Sequence, residues 1–550
     1  MAKKPNQKPV GKPVTRKLPV NSPGIGDHPY FDYFAVATIL LLIFILRIPY
    51  LEIALERDEA SYAYIGKRAL EGLTPYRDFY EMKPPLLFYV YALIDGVFGY
   101  SDKGLHVALL VINMLNTLLV YGISRLLLNK SAGAVAAVAY IILAFNPMVS
   151  GLWMVSEHAL MTFALAGILA FIKGLQQPKW LFTAGILFAC SILIKQVAGV
   201  FGLWAGIVLL IRHFEATDAS WKKLFRQWGI LAAGAIIPVA LTLILISSLG
   251  VWKEFMFWMF EYPSKYMDGV QSTAGIDVFG FQWKRNTDTY LLYWLAGAFG
   301  MIALFFAEKQ WTKKAGLALL ALLSFATILP GSRYYGHYWL QFFPALAICF
   351  GAGVFAVQRW FKGSIPGLIM GIFLLAAFSH LLIYQQNYFN ADRERLVRAA
   401  YPGNPFVEHK KMADYLNTRL KPEDKLMVLG SEPQFYIYTN KKSPSRHFYT
   451  GFTSREIPEA RLWQQETLAD LRKSQPDYVV FSTQRFSWMM KEKSDQTLYQ
   501  ESYKFINQYY TPVAIADIIS PNETKLVFDA EAVSYQRSSQ EFIMIMQKKK

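Results

Sequence analysis

The chain has 550 residues, 54% of them hydrophobic and only 17% charged, against roughly 25% charged in soluble domains, which excludes a plain string of soluble domains. Its net charge of +16 does not mark a nucleic-acid binder. Six of the positive charges (Lys3, Lys4, Lys8, Lys12, Arg16, Lys17) sit in the first 17 residues and others lie in short loops between apolar runs, a placement that orients membrane proteins and meets anionic lipid.

Residues 1–30 are rich in Lys, Pro and Asn and almost free of apolar side chains before residue 28, so a disordered cytoplasmic tail is expected there. The next apolar run starts near residue 34 and reads as a span rather than a cleavable signal. With about 20 apolar residues per crossing, spans are expected near 33–54, 104–128, 131–150, 158–175, 180–195, 197–212, 228–249, 289–307, 315–330, 338–357 and 365–385. Arg125 and Lys130, Lys173 and Lys179, Arg212 to Arg226, Lys309 to Lys314, and Arg359 with Lys362 fall in alternate loops. Positive-inside orientation therefore puts the N-terminus in the cytoplasm and, after eleven crossings, the C-terminus outside. The first outer loop, 56–103, breaks the rule with Arg57, Lys67, Arg68, Arg77 and Lys83. Its run Pro84–Tyr100 is short and holds Asp95, and reads as an interfacial helix. The ring-rich loop 250–288 reads as an interfacial lid or an anchoring belt. The membrane unit spans 31–389.

Beyond it, residues 390–550 turn polar. Short apolar runs at Lys425–Gly430, Asp477–Ser482, Pro512–Ala516, Lys525–Asp529 and Glu541–Met546 alternate with amphipathic stretches such as 406–420, where Met412, Leu416 and Leu420 recur every four residues. That alternation predicts a small α/β domain outside the membrane. Cys190 and Cys349 both lie in apolar runs, so this domain has no disulfide.

The first outer loop carries the most chemistry. It reads Glu56-Arg57-Asp58-Glu59, then Tyr76-Arg77-Asp78-Phe79-Tyr80-Glu81-Met82-Lys83-Pro84-Pro85. Acids crowded at a membrane surface are costly unless paired or used. The plain structural reading makes Asp58 the cap of a helix over 59–71 that Gly72 ends. A capping carboxylate is also rigidly placed, as catalysis requires.

Arg57-Asp58-Glu59 with Tyr62-Ala63, followed by Glu81-x-Lys83-Pro84-Pro85-Leu86, resembles the first extracytoplasmic loop of GT-C glycosyltransferases. The nearest branches are the protein O-mannosyltransferases and the aminoarabinose (lipid A) transferases. The resemblance implies a polytopic α-helical membrane protein with about 11 spanning helices, interfacial helices and a C-terminal extracytoplasmic α/β domain, set in the plasma membrane. It implies inverting transfer of a sugar from a polyprenyl-phosphate-sugar to a hydroxyl of an envelope lipid, glycan or protein.

On that reading Asp58 matches the catalytic acid of the family and takes the acceptor's proton. Cations steady the departing phosphate: Lys83, Lys195, Arg333 and His337. Lys83 and Lys195 also have plain readings as boundary lysines, and a lone interfacial His is commonly structural. The family's lysine turn usually continues with Gly, where this chain has Gln196. Glu59, Glu81, Glu157, Tyr334 and Tyr335 are candidates for contacts with substrate or acceptor. Glu81, Glu157 and His337 are donor types for a divalent ion, but no close-spaced ligand motif supports a metal and no cofactor is assigned. Gly430-Ser431-Glu432-Pro433-Gln434 reads as a turn after a strand, and the C-terminal domain as an acceptor-recognition or covering module. A lipid-sugar transporter or a non-catalytic scaffold are the alternatives. A transporter would carry its ionisable groups near mid-span, whereas here they crowd the outer loops.

Overall fold

The computed structural model describes residues 28–268, 272–389 and 392–549. All but the last three residues of the expected basic tail lie outside that range. Each expected span is a helix. The first eight helices are α1 (Phe31–Arg47), α2 (Arg57–Leu70), α3 (Leu86–Phe98), α4 (Asp102–Leu127), α5 (Lys130–Phe145), α6 (Ser156–Gly174), α7 (Lys179–Ile192) and α8 (Gly199–Glu215). Among the described residues, seven helical segments are long and apolar enough to cross a membrane: Phe31–Tyr50, α4, α6, Gln196–Glu215, Trp221–Ser248, Phe343–Trp360 and Ile365–Ile383. A further pair, Gly275–Thr289 and Leu291–Ala307, is long and apolar enough only when taken together and meets at 86°, the bend of a broken span or a re-entrant loop. Three further expected spans, α5, α7 and Trp311–Ala326, are helices of only 16, 14 and 16 residues. Apolar composition there runs on past the helix end. Asn146-Pro147 stops α5, because Pro removes a backbone donor, and Leu193-Ile194 continues α7 only as a turn. This is a multi-pass membrane protein.

The run read as interfacial is α3, 13 residues long. It lies against α2 so closely that a Cβ on Gly66 would come within 2.7 Å of the Tyr91 and Ala92 backbone. Glycine is what lets the two helices of the first loop touch.

All five expected strands form. Their order in one sheet is β1 (Leu426–Leu429), β2 (Tyr478–Ser482), β5 (Phe542–Lys548), β3 (Tyr510–Ser520), β4 (Glu523–Phe528). β1 and β2 are parallel, and the other pairs are antiparallel. The Pro458–Ser474 helix makes the β1–β2 crossover. Side chains alternate between faces. Leu426, Val428, Ile543 and Ile545 join a buried apolar cluster continuous with the helical bundle. Met427, Leu429, Phe542 and Met544 face a separate core with Leu468 and Leu471. The domain is thus packed into the membrane unit rather than tethered beside it.

Candidate active site

The site begins at the N-terminus of α2, and the capping differs from the expectation. Glu56, not Asp58, is the N-cap: its carboxylate accepts from Glu59 N–H while the Glu59 carboxylate accepts from Glu56 N–H at 3.1 Å. This is a capping box, and it closes because both ends are Glu. Asp58 therefore sits in the first turn with its carboxylate unspent, at the helix end that favours negative charge. Gly72, at φ 84°, follows the helix end as expected.

Other connections deliver the remaining groups. The α3 start is pinned to the α7–α8 turn by Leu86 N–H donating to Leu193 O at 3.1 Å, which carries Lys83 toward Lys195. Lys83 lies 3.5 Å from Glu81, with Tyr62's ring centroid 6.0 Å away. Lys195 pairs with Glu157 in the first turn of α6 and stands 4.1 Å over the Tyr338 ring. His337 Nε2 is 4.0 Å from the same Glu157 oxygen, and Ser156 Oγ donates to the other at 3.1 Å. The charges of Asp58, Lys83 and Glu157 act on both Lys195 and His337. Asp58, Glu81, Lys83, Glu157, Lys195 and His337 thus form one electrostatic cluster.

Within it Asp58 stands apart. It is half-buried, and its carboxylate has no hydrogen-bond or ion-pair partner among the described residues. Its neighbours are all engaged: Glu56 and Glu59 in the capping box, Asp78 on Thr74 N–H, Glu81 on Met82 N–H and Lys83. Burial raises the Glu81 carboxyl above its ordinary value despite Lys83. Burial lowers the His337 imidazole against the pull of Glu157, so the ring is neutral at pH 7. Burial also lowers the Lys195 ammonium, with Glu157 opposing.

The other candidates fall elsewhere. Glu59 is fully buried and faces inward, accepting from Met154 N–H at 2.7 Å with His106 at 3.4 Å. Tyr335 is exposed and stacks on His337 at 5.6 Å. Tyr334 turns away to pack on Phe279 at 5.0 Å. Arg333 lies four residues before His337 on the same connection, half-buried. No group of three His, Cys, Asp or Glu is arranged to hold a metal ion among the described residues. The ring-rich loop forms an aromatic stack: Trp258 lies 4.4 Å from Tyr80 and 5.3 Å from Trp463 of the C-terminal domain. Residues 269–271 of that loop lie outside the described range.

Three contributors escaped the sequence reading. Tyr62 and Tyr338 supply ring faces to the lysines. Glu432 pairs with Arg57. Its position just past a parallel strand's C-terminal end, where α/β sheets tend to carry functional groups, was the available signal.

Residues 82–249 match the sequence model of the dolichyl-phosphate-mannose-protein mannosyltransferase family. The fold as a whole is similar to crystal structures of ArnT from Cupriavidus metallidurans. With the apo state it shares 14% identity and a TM-score of 0.57, over 94% of this chain and 98% of that one. With the form bound to undecaprenyl phosphate it shares 13% identity over the same fractions, again with a TM-score of 0.57. The apo oligosaccharyltransferase of Archaeoglobus fulgidus aligns with 12% identity and a TM-score of 0.49, over 91% of this chain and 75% of its own. No curated protein sequence matches the chain. The chain has the GT-C glycosyltransferase fold.

Proposed function

We propose that this protein is an inverting glycosyltransferase that moves a sugar from a polyprenyl-phosphate-linked donor to a hydroxyl of an envelope lipid, glycan or protein at the outer face of the plasma membrane. The observation that carries this reading is the Asp58 carboxylate, unpartnered among the described residues, in one electrostatic cluster with two half-buried lysines and a histidine. In the reaction the acceptor oxygen bonds to the anomeric carbon and its proton passes to Asp58. The bond from that carbon to the phosphate oxygen breaks, and its electron pair leaves with the phosphate. Lys83, Lys195 and His337 stabilise the charge that grows there, with Arg333 as a further phosphate contact. Attack opposite the leaving group inverts the anomeric centre. The matched family segment, the fold and the binding of undecaprenyl phosphate by ArnT support the donor class.

Mass spectrometry of envelope glycoconjugates from cells with and without the gene tests it. One sugar substituent is expected to vanish, to return with the wild-type chain, and to stay absent with a folded Asp58→Asn variant. Restoration by that variant overturns the proposal.

A further inference from the structure

Arg57 precedes the unpaired Asp58, yet its guanidinium is engaged by the C-terminal domain. Nε donates to Ser431 O at 2.6 Å, Nη1 to Asn404 Oδ1 at 3.1 Å, and Nη2 to both Glu432 oxygens at 3.3 and 3.4 Å. The Phe406 ring lies 5.6 Å from its centre. Glu432 is wholly buried, with His409 Nε2 3.2 Å from its second oxygen.

A second brace repeats the pattern. Tyr80 precedes Glu81, and its hydroxyl bonds His447, whose other ring nitrogen meets Glu466 at 2.7 Å. Each acidic segment of the site is thus gripped by the domain through the residue immediately before its carboxylate.

Arg57 and Asp58 are consecutive on the first turn of α2, where neighbouring side chains diverge; an anchor on the Arg57 guanidinium therefore fixes the backbone turn from which Asp58 projects. Buried ion pairs add little stability over apolar replacements, so packing alone does not call for Glu432 here.

We propose that the C-terminal domain is a working part of the active site: Glu432 anchors Arg57 and with it the first turn of α2, fixing the orientation of the Asp58 carboxylate, and so acts as a positioning residue. This rests on the reading of Asp58 as the base. The domain's contribution to the reaction is then rate, separate from any role in recognising acceptor.

The test uses the purified full-length chain in nanodiscs. Turnover is measured with the lipid-linked sugar and envelope acceptor fractions extracted from the producing cells, and binding with undecaprenyl phosphate. Glu432→Gln is expected to lower turnover roughly 100-fold, the cost of misplacing a reacting group by about an ångström. Undecaprenyl phosphate affinity should stay within about two-fold, as for a group that acts only in the transition state. Glu432→Asp, which keeps the charge, should recover much of the rate. Amide exchange should quicken at residues 57–60 and stay unchanged in β1 and β2. A folded Glu432→Gln protein with wild-type turnover overturns the proposal. If that variant does not fold, Asn404→Ala removes one bond to Arg57 and should cost about tenfold in rate; an unchanged rate there is equally fatal. Asp58→Asn runs alongside: wild-type turnover in that variant defeats the base assignment itself, a result distinct from failure of the Glu432 role alone.

Discussion

Replacing Lys195 with Met separates a catalytic from a structural role for that lysine. The Glu157 side chain is fully buried, and its partners are Lys195, Ser156 Oγ and, at 4.0 Å, His337. Removing the ammonium leaves a buried carboxylate with a hydroxyl and a neutral ring, and breaking a buried pair costs about 3–5 kcal/mol. Lys195 is 12% exposed, which places the loss near the lower end, about 3 kcal/mol. Transfer should fall about 100- to 1,000-fold, as when one donor to a developing anion is removed. Stability is read from tryptophan fluorescence during thermal unfolding in detergent, and transfer from the glycoconjugate mass spectra. The double variant Lys195→Met with Glu157→Leu should unfold near the wild-type temperature, because replacing both partners by apolar groups is often neutral. Its transfer should remain low, since the phosphate still lacks a cation. If the double variant regains transfer together with stability, Lys195 serves only the fold and the phosphate cradle is wrong.

Three more outcomes follow from the geometry. Burial, then the charges of Asp58 and Glu59, raise the Glu56 carboxyl well above its usual value, so its contribution to the folded state is lost progressively as pH rises from the ordinary carboxyl range through that raised value. Glu56→Gln, which keeps the capping oxygen, should therefore raise the unfolding temperature at pH 8, with the gain fading as pH falls toward about 4.5 and absent below it; a gain that persists in acid refutes it. Gly66→Val drives a side chain into the Tyr91 and Ala92 backbone and should destabilise by about 1–3 kcal/mol, seen as a lower unfolding temperature with loss of transfer. Tyr80→Phe removes the hydroxyl that meets His447 and leaves a buried ring nitrogen unpartnered, at about 1–3 kcal/mol; an unchanged unfolding temperature would deny that contact.

The helices and strands were legible in the sequence because burial imposes a period. Leu426 to Leu429 form a continuous apolar run, as a strand buried on both faces requires. Span lengths were less legible: hydropathy does not register where Pro147 stops a helix while the apolar character runs on. The site's acids and lysines were legible as charges placed where lipid makes them costly. Their division of labour was not. Glu56, Asp58 and Glu59 are chemically near-identical, and only the capping geometry engages two of them with each other and leaves the Asp58 carboxylate without a partner among the described residues. Glu432 was hidden for a different reason. It lies 375 residues from Arg57, and its local sequence asks only for a turn.

The composition of the cluster also bears on the proposed reaction. Three carboxylates, Asp58, Glu81 and Glu157, accompany two lysines and a neutral histidine, so the cluster lacks the excess positive charge of a site built only to bind phosphate. Sugar transfer, however, moves negative charge rather than creating it. As Asp58 takes the acceptor's proton it loses its charge, while the phosphate gains one. Glu81 and Glu157 hold the ammonium groups in place, and an ammonium carries three N–H donors in all. Before transfer, Asp58 repels the bound phosphate. During transfer that repulsion fades while attraction to the lysines grows. Both changes favour the transition state over the bound donor, which is where an interaction must strengthen to accelerate chemistry. A more cationic cluster would grip donor and departing lipid phosphate alike, and the gain in binding would be lost again at release.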